Sequence, residues 1–201
     1  MNNVLKWGFR LLGAGFLVFV GYMLFTALTF SFDFDSDKHY TTQDLIDNYQ
    51  AKTKELNELK AYVNSIVPAN TIVDIEFEDN KNLRFFHVAN NHTSGDNWNI
   101  KINNKKVDSL LSMLGWTRQT FKLLKQKLDA ANCISVKSGE PFTIGFQRSG
   151  MGKYYYNLFT KPISKENRNN YNDSCTYITY NDTLVLEYGG GAVGPQCFPT
   201  K

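Results

Sequence analysis

Hydrophobic and polar positions alternate in three successive regimes along the chain. From Leu11 to Phe32 no charged side chain appears at all. At 1.5 Å per residue, about 20 such residues cross a hydrocarbon core of about 30 Å, so this run predicts one transmembrane helix. A cleaved signal peptide would have a shorter apolar core and a small-residue cleavage site. The stretch TALTF at 26–30, with Thr29 at the scissile position, fits that pattern poorly.

Next, a helical period sets in. Leu45, Tyr49, Leu56, Leu59, Val63 and Ile66 share one side of a helix over 43–67, with Thr41 or Thr42 as its cap and Lys52 as an interruption. Ile46, Tyr62 and Val67 widen the apolar stripe. A broad stripe predicts packing on the protein's own sheet in preference to a coiled coil.

After Pro68 the period becomes two. In TIVDIEFED, Val73, Ile75 and Phe77 alternate with Asp74, Glu76 and Glu78, as in a half-buried strand. LRFFHV and WNIKI continue the strands. Two helices follow, one lined by Val107, Leu110, Leu111 and Leu114, the other capped by Thr117 and lined by Phe121, Leu124, Leu128 and Ala131. CISVK, FTIGFQR, KYYYNLF, CTYITY and TLVLEY complete the strands. Blocks of one element type predict an α+β fold with a mainly antiparallel sheet and about three helices, behind the N-terminal transmembrane helix. The expected organisation is a short tail over 1–10, the membrane helix over 11–32, a polar spacer over 33–40 and one exported domain over 41–201.

Composition places the chain among folded proteins, with 42% hydrophobic and 20% charged residues. Charge then orients it. Lys6 and Arg10 precede the first acid, Asp33, and removing these two from the 22 basic residues leaves 20 against 19 acids. The positive-inside rule puts the N-terminus in the cytoplasm and the remainder across the cell membrane. The near-neutral balance beyond the helix gives no case for nucleic acid. Asp33, Asp35 and Asp37 lack the glycine and closing glutamate of a calcium loop, so they are read as a solvated exit from the bilayer.

Three cysteines remain, Cys133, Cys175 and Cys197. An exported domain would pair two of them. Cys175 with Cys197 would pin the glycine-rich tail YGGGAVGPQCFPTK to a strand, with Phe198 tucked back and Cys133 in the core. None of the three has zinc-ligand spacing.

Candidate chemistry is sparse. RSGMGK at 148–153 is a hairpin turn, because Met151 stands where a Walker loop requires lysine. His87, His92 and Asp96 are the residues from which a dispersed hydrolytic site could be built. Arg118, Lys122, Lys125 and Lys127 give one helix a basic side, read as a solvated face. Tyr154, Tyr155 and Tyr156 make both faces of one strand aromatic, so this strand is either central or carries a recognition surface. No catalytic, cofactor or metal residue is assigned.

An N-terminal apolar helix, an amphipathic helix, a sheet and a late cysteine pair together resemble the type IV pilins in architecture. Those proteins place a glutamate at the fifth position after a Gly-Phe junction; here Gly15-Phe16 is followed by Leu17, Val18, Phe19 and Val20. Without that acid the family is not assigned. The sequence therefore predicts a single-pass protein, held in the lipid bilayer by its N-terminal helix and displaying a binding or assembly domain for a protein partner or a second copy. A membrane-tethered hydrolase and a pilin-like envelope subunit are the alternatives.

Overall fold

A computed structural model describes residues 38–90, 94–189 and 194–199, with the backbone alone over 94–96. The tail over 1–10, the apolar run over 11–32 and the spacer as far as 37 lie outside the described residues. Among the described residues no helix is long and apolar enough to cross a membrane.

Helix α1 (Thr42–Ala51) starts from a capping box in which the Thr41 hydroxyl and the Asp44 carboxylate each satisfy the other's backbone N–H. The apolar period predicts one helix over 43–67, but the backbone leaves helical geometry at Lys52 (φ −121°, ψ 18°) and restarts as α2 (Thr53–Ile66). Two local features explain the break. The Thr53 hydroxyl donates to the Tyr49 carbonyl at 2.6 Å, a back-bond that bends helices. Lys52 also falls on the apolar seam, and the break leaves its ammonium 3.7 Å from Glu55 at the surface.

The strands are β1 (Ile72–Phe77), β2 (Asn82–Ala89), β3 (Ser94–Lys101), β4 (Ser135–Lys137), β5 (Phe142–Ser149), β6 (Gly152–Leu158), β7 (Tyr177–Asn181) and β8 (Leu184–Gly189). They form one sheet in the order β3-β2-β1-β4-β5-β6-β8-β7, antiparallel throughout. Between β3 and β4 come α3 (Lys105–Met113) and α4 (Arg118–Ala130), which return the chain from an edge strand to the sheet centre beside β1. A short α5 (Lys165–Arg168) and a 3₁₀ turn (Asn169–Tyr171) occupy the polar loop before β7, giving five α-helices among the described residues where the pattern predicts about three.

One face of the sheet is the core. Val73, Ile75, Phe86, Ile144, Tyr154, Tyr156 and Leu186 are sealed beneath Leu45, Leu56, Leu59 and Val63 of α1–α2 and Leu124 and Leu128 of α4. Phe77 meets Phe121 at 5.1 Å between ring centres. Hydroxyls in this layer are bonded: buried Tyr156 donates to the Leu45 carbonyl at 2.8 Å and half-buried Tyr62 to the Thr120 carbonyl at 3.0 Å. Cys133 is buried there, and burial pushes its thiol far up from the usual range, which makes it inert.

The C-terminal segment returns to this core. Cys175 and Cys197 are bonded as the sequence predicts. The Phe198 amide donates to the Cys175 carbonyl at 3.0 Å and the Gln196 amide to the Tyr188 carbonyl at 3.2 Å. The Phe198 ring is buried against Tyr154 and Tyr188, themselves stacked at 4.0 Å. At the other end of the domain the Tyr40 amide donates to the Tyr154 hydroxyl at 3.1 Å, and His39 Nδ1 lies 3.0 Å from Ser149 Oγ. Lys38, His39 and Tyr40, read from the sequence as the end of the spacer, are thus described with the domain, and the latter two are bonded to it.

Cys197→Ser releases a closed loop spanning 22 residues. By the loop-entropy relation its unfolding free energy in urea falls by about 3 kcal/mol. A loss below about 1 kcal/mol would show that the tail is held by Phe198 packing alone.

Candidate functional site

The sheet face turned away from α1–α4 is polar but not simply solvated. Strand registers arrange its side chains in two rows, because residues directly opposite on antiparallel strands share a face. One row runs His87, Asp74, Lys137, Thr143, Asn157 from β2 to β6. The next runs Trp98, Phe85, Glu76, Ser135, Gly145, Tyr155, Glu187, Tyr177 from β3 to β7.

Glu76 is the most buried charged group of this face, at 2% exposure. Its carboxylate is met by the Arg148 guanidinium through Nε and, at 3.0 Å, Nη2, and by Lys153 Nζ at 2.7 Å. Arg84 Nε approaches to 3.5 Å while its Nη2 binds Glu78 at 2.6 Å. Lys153, 6% exposed, also donates to Ser135 Oγ at 3.0 Å and sits 4.8 Å from the centre of the Tyr155 ring.

Glycine at 145 makes this possible. A Cβ there would come within 2.0 Å of Ser135 Oγ and 3.1 Å of Lys153 Cδ, so only a bare backbone lets the lysine stem lie across β5 toward β1. Among the described residues no buried side-chain nitrogen or oxygen lacks a hydrogen bond.

Around this cluster is a recess of about 480 Å³, lined by Asp74, Arg84, Phe85, Trp98, Met151 and Tyr155 above the Glu76 group. A second hollow of about 170 Å³ shares Asp74, Lys153 and Tyr155 and extends to Lys137, Thr143 and Glu187. Trp98 is 59% and Met151 65% exposed at the rim. The Trp98 indole is backed by Phe85 at 4.4 Å.

Electrostatics differ between the carboxylates. Burial would raise Glu76, but the hydrogen bonds and charges of Arg148 and Lys153 outweigh it and hold the group below its ordinary range. Burial raises Asp74, only partly offset by Lys153 and Lys137, and Glu76 adds to the rise. Burial likewise raises Glu187, against the bond from Asn157 at 2.7 Å. The Asp74 carboxylate and the Lys137 ammonium make no hydrogen bond among the described residues.

Several sequence readings are resolved by these positions. Tyr154 and Tyr156 are both at 0% exposure, so they are core residues and not part of a recognition surface; only Tyr155 faces the recess. Their strand has five strands on one side of it and two on the other, and helices cover its even-numbered face, which is why both faces are aromatic. RSGMGK forms the β5–β6 turn, with Gly150 at φ 54°. Three of the four bases on α4 are paired: Arg118 with Asp108 at 2.5 Å, Lys127 with Glu58 at 3.6 Å, and Lys125 with Asp129. Register sets His87 opposite Asp96, while His92 lies outside the described residues. Among the described residues no His, Cys, Asp and Glu cluster is disposed to hold a metal ion. No family model, curated protein or solved structure matches this chain significantly.

Sequence reasoning passed over Glu76, Arg148, Lys153 and Trp98. The available signal was charge within two otherwise apolar strands, Asp74 and Glu76 in IVDIEF and Lys153 beside three tyrosines.

The carboxylates give stability opposite pH dependences. Glu76, lowered in the fold, contributes above the unfolded carboxylate range and loses that contribution as pH falls through its folded value. Asp74, raised, weakens the fold as pH rises past the unfolded range. Glu76→Gln therefore costs about 3 kcal/mol or more at neutral pH, because two cations lose their counter-charge, and the deficit shrinks in acid. Asp74→Asn is more stable than the parent at pH 7, with the gain vanishing in acid. Urea unfolding from pH 3 to 8 reads both, and parallel curves for the two variants would contradict the assignment.

Proposed function

We propose that this protein is a single-pass membrane-anchored binding protein. Residues 11–32 span the bilayer, 1–10 face the cytoplasm, and the domain is displayed outside the cell membrane with the Glu76 recess as its binding face. The apolar run and the charge asymmetry around it support the anchor and its direction. The Cys175–Cys197 bond supports an oxidising compartment.

One observation carries the binding reading: a rigidly backed, exposed Trp98 opposite an exposed Met151, on either side of a recess whose floor is already charge-paired. Exposed aromatic and methionine side chains around a desolvated centre are the composition of binding hot spots. Nothing in the paired floor needs to be dismantled before a ligand is seated.

A second reading, membrane-tethered hydrolysis, is favoured by the register, which sets His87 of β2 directly opposite Asp74 of β1, with position 96 as its backbone partner on β3. Release of product from chromogenic ester or glycoside substrates by the full chain, lost in His87→Asn, would establish it in place of pure binding.

A photo-crosslinking residue at position 98 or 151, in the full chain in intact cells, is expected to form adducts that the same residue at the exposed Lys54 of α2 does not. Equal labelling at all three positions would remove the recess as the binding face. Protease added outside intact spheroplasts is expected to degrade the domain, and its protection would overturn the exported topology.

A further inference from the structure

Resting on the reading of the recess as a binding face, we infer that its ligand is a neutral glycan, held by stacking of a sugar ring on Trp98 and by hydroxyl contacts to Asp74, Arg84, Tyr155 and Lys137.

Around the two joined hollows stand Arg84, Lys137, Arg148 and Lys153 against Asp74, Glu76 and Glu187. Arg148 and Lys153 are engaged with Glu76, and Arg84 with Glu78 and Glu76. A strongly anionic or cationic ligand would be opposed by the like charges lining the same hollows, and drawing Arg84, Arg148 or Lys153 toward it would break an existing pair and leave a buried charge alone. An uncharged polar ligand leaves every pair in place.

On the face of a sheet the backbone N–H and C=O groups are consumed by neighbouring strands, so an extended peptide finds no main-chain partners there. Side chains are what is offered. The Asp74 carboxylate and the Lys137 ammonium, one strand apart, have unspent hydrogen-bonding capacity of both kinds. Hydroxyl-rich ligands take donors and acceptors at once.

Trp98 is more than half exposed, and Phe85 backs it at a ring-centre distance of 4.4 Å. A planar aromatic held by a neighbour stacks with little further loss of freedom. Pyranose rings combine an apolar C–H face with a hydroxyl rim, and a platform beside a polar trough matches both. The combined hollows, about 480 and 170 Å³, accommodate more than one sugar unit.

The test is a titration of the full chain, solubilised in mild detergent, with neutral hexasaccharides of glucose, xylose, mannose and N-acetylglucosamine. Oligogalacturonate and hyaluronan hexasaccharides serve as acidic controls. Binding of at least one neutral chain is expected to shift tryptophan emission, with an affinity insensitive to 0.5 M salt. Trp98→Ala is expected to weaken it about tenfold or more, as loss of a stacking contact of that size requires. Trp98→Phe should recover part of the loss, and Asp74→Ala should weaken binding without changing the fold, checked by near-UV dichroism. Preference for the acidic chains, with salt dependence, would overturn the neutral class. No binding of any neutral chain at millimolar concentration, while crosslinks at position 98 persist and are digested by protease, would overturn the glycan and leave the binding face standing. Absence of both would remove the face itself.

Discussion

A carboxylate buried on a sheet face must have its counter-charges brought to it, and the layout of the central strands serves that requirement. Glu76 projects from β1, yet Lys153 belongs to β6, three strands away in the order β1-β4-β5-β6. A lysine stem spans that distance only over a low floor. The intervening positions in the same row are Ser135 and Gly145, the two smallest residues of the row. The trough they leave holds the lysine, and β4, three residues long, lets Arg148 approach from beyond its end. Recess and ion cluster are therefore one feature: the small residues that admit Lys153 also hollow the surface above it.

β6 connects this face to the rest of the molecule. Its odd-numbered residues, Lys153 and Tyr155, build the recess, while its even-numbered residues, Tyr154 and Tyr156, hold the two ends of the domain. Tyr154 receives the Tyr40 amide and packs against Phe198, and Tyr156 bonds α1 through Leu45 and Asn48. A shift of β6 by one residue would exchange the two sets and break both faces at once. Such a strand has its register fixed from both sides.

The strands were legible in the sequence because their cause is local. Period-two alternation in TIVDIEFED and KYYYNLF requires no knowledge of neighbours, and the Cys175–Cys197 pairing followed from the need to anchor a glycine-rich end. What failed was whatever depends on a partner distant in sequence. Tyr154 and Tyr156 read as surface candidates because nothing local says that α1 and the C-terminal tail cover them. Glu76 and Lys153 are separated by 77 positions, and each alone looks like an ordinary polar residue of an amphipathic strand. The helix break at Lys52 was visible as a flaw in the apolar seam, but its consequence depended on the Thr53 back-bond. Site residues were thus less legible than fold because the site is made by register, which single-strand patterns do not contain.

The edges of the sheet explain why recognition falls to its face. An unblocked edge strand offers unpaired backbone groups to any extended chain and would compete with the face for partners. Here β3, at one edge, carries Asn99 in left-handed geometry at φ 49°, which turns the peptide plane and interrupts a regular outward row of donors and acceptors. At the other edge the Thr179 amide of β7 donates to the Asn172 side chain at 3.3 Å and the Thr179 hydroxyl to the Tyr171 carbonyl at 2.8 Å. The α5–3₁₀ segment thereby covers that border. With one edge kinked and the other capped, and the opposite face sealed by α1, α2 and α4, the backed indole of Trp98 and the trough beside it are where a ligand meets an aromatic surface and unspent polar side chains together.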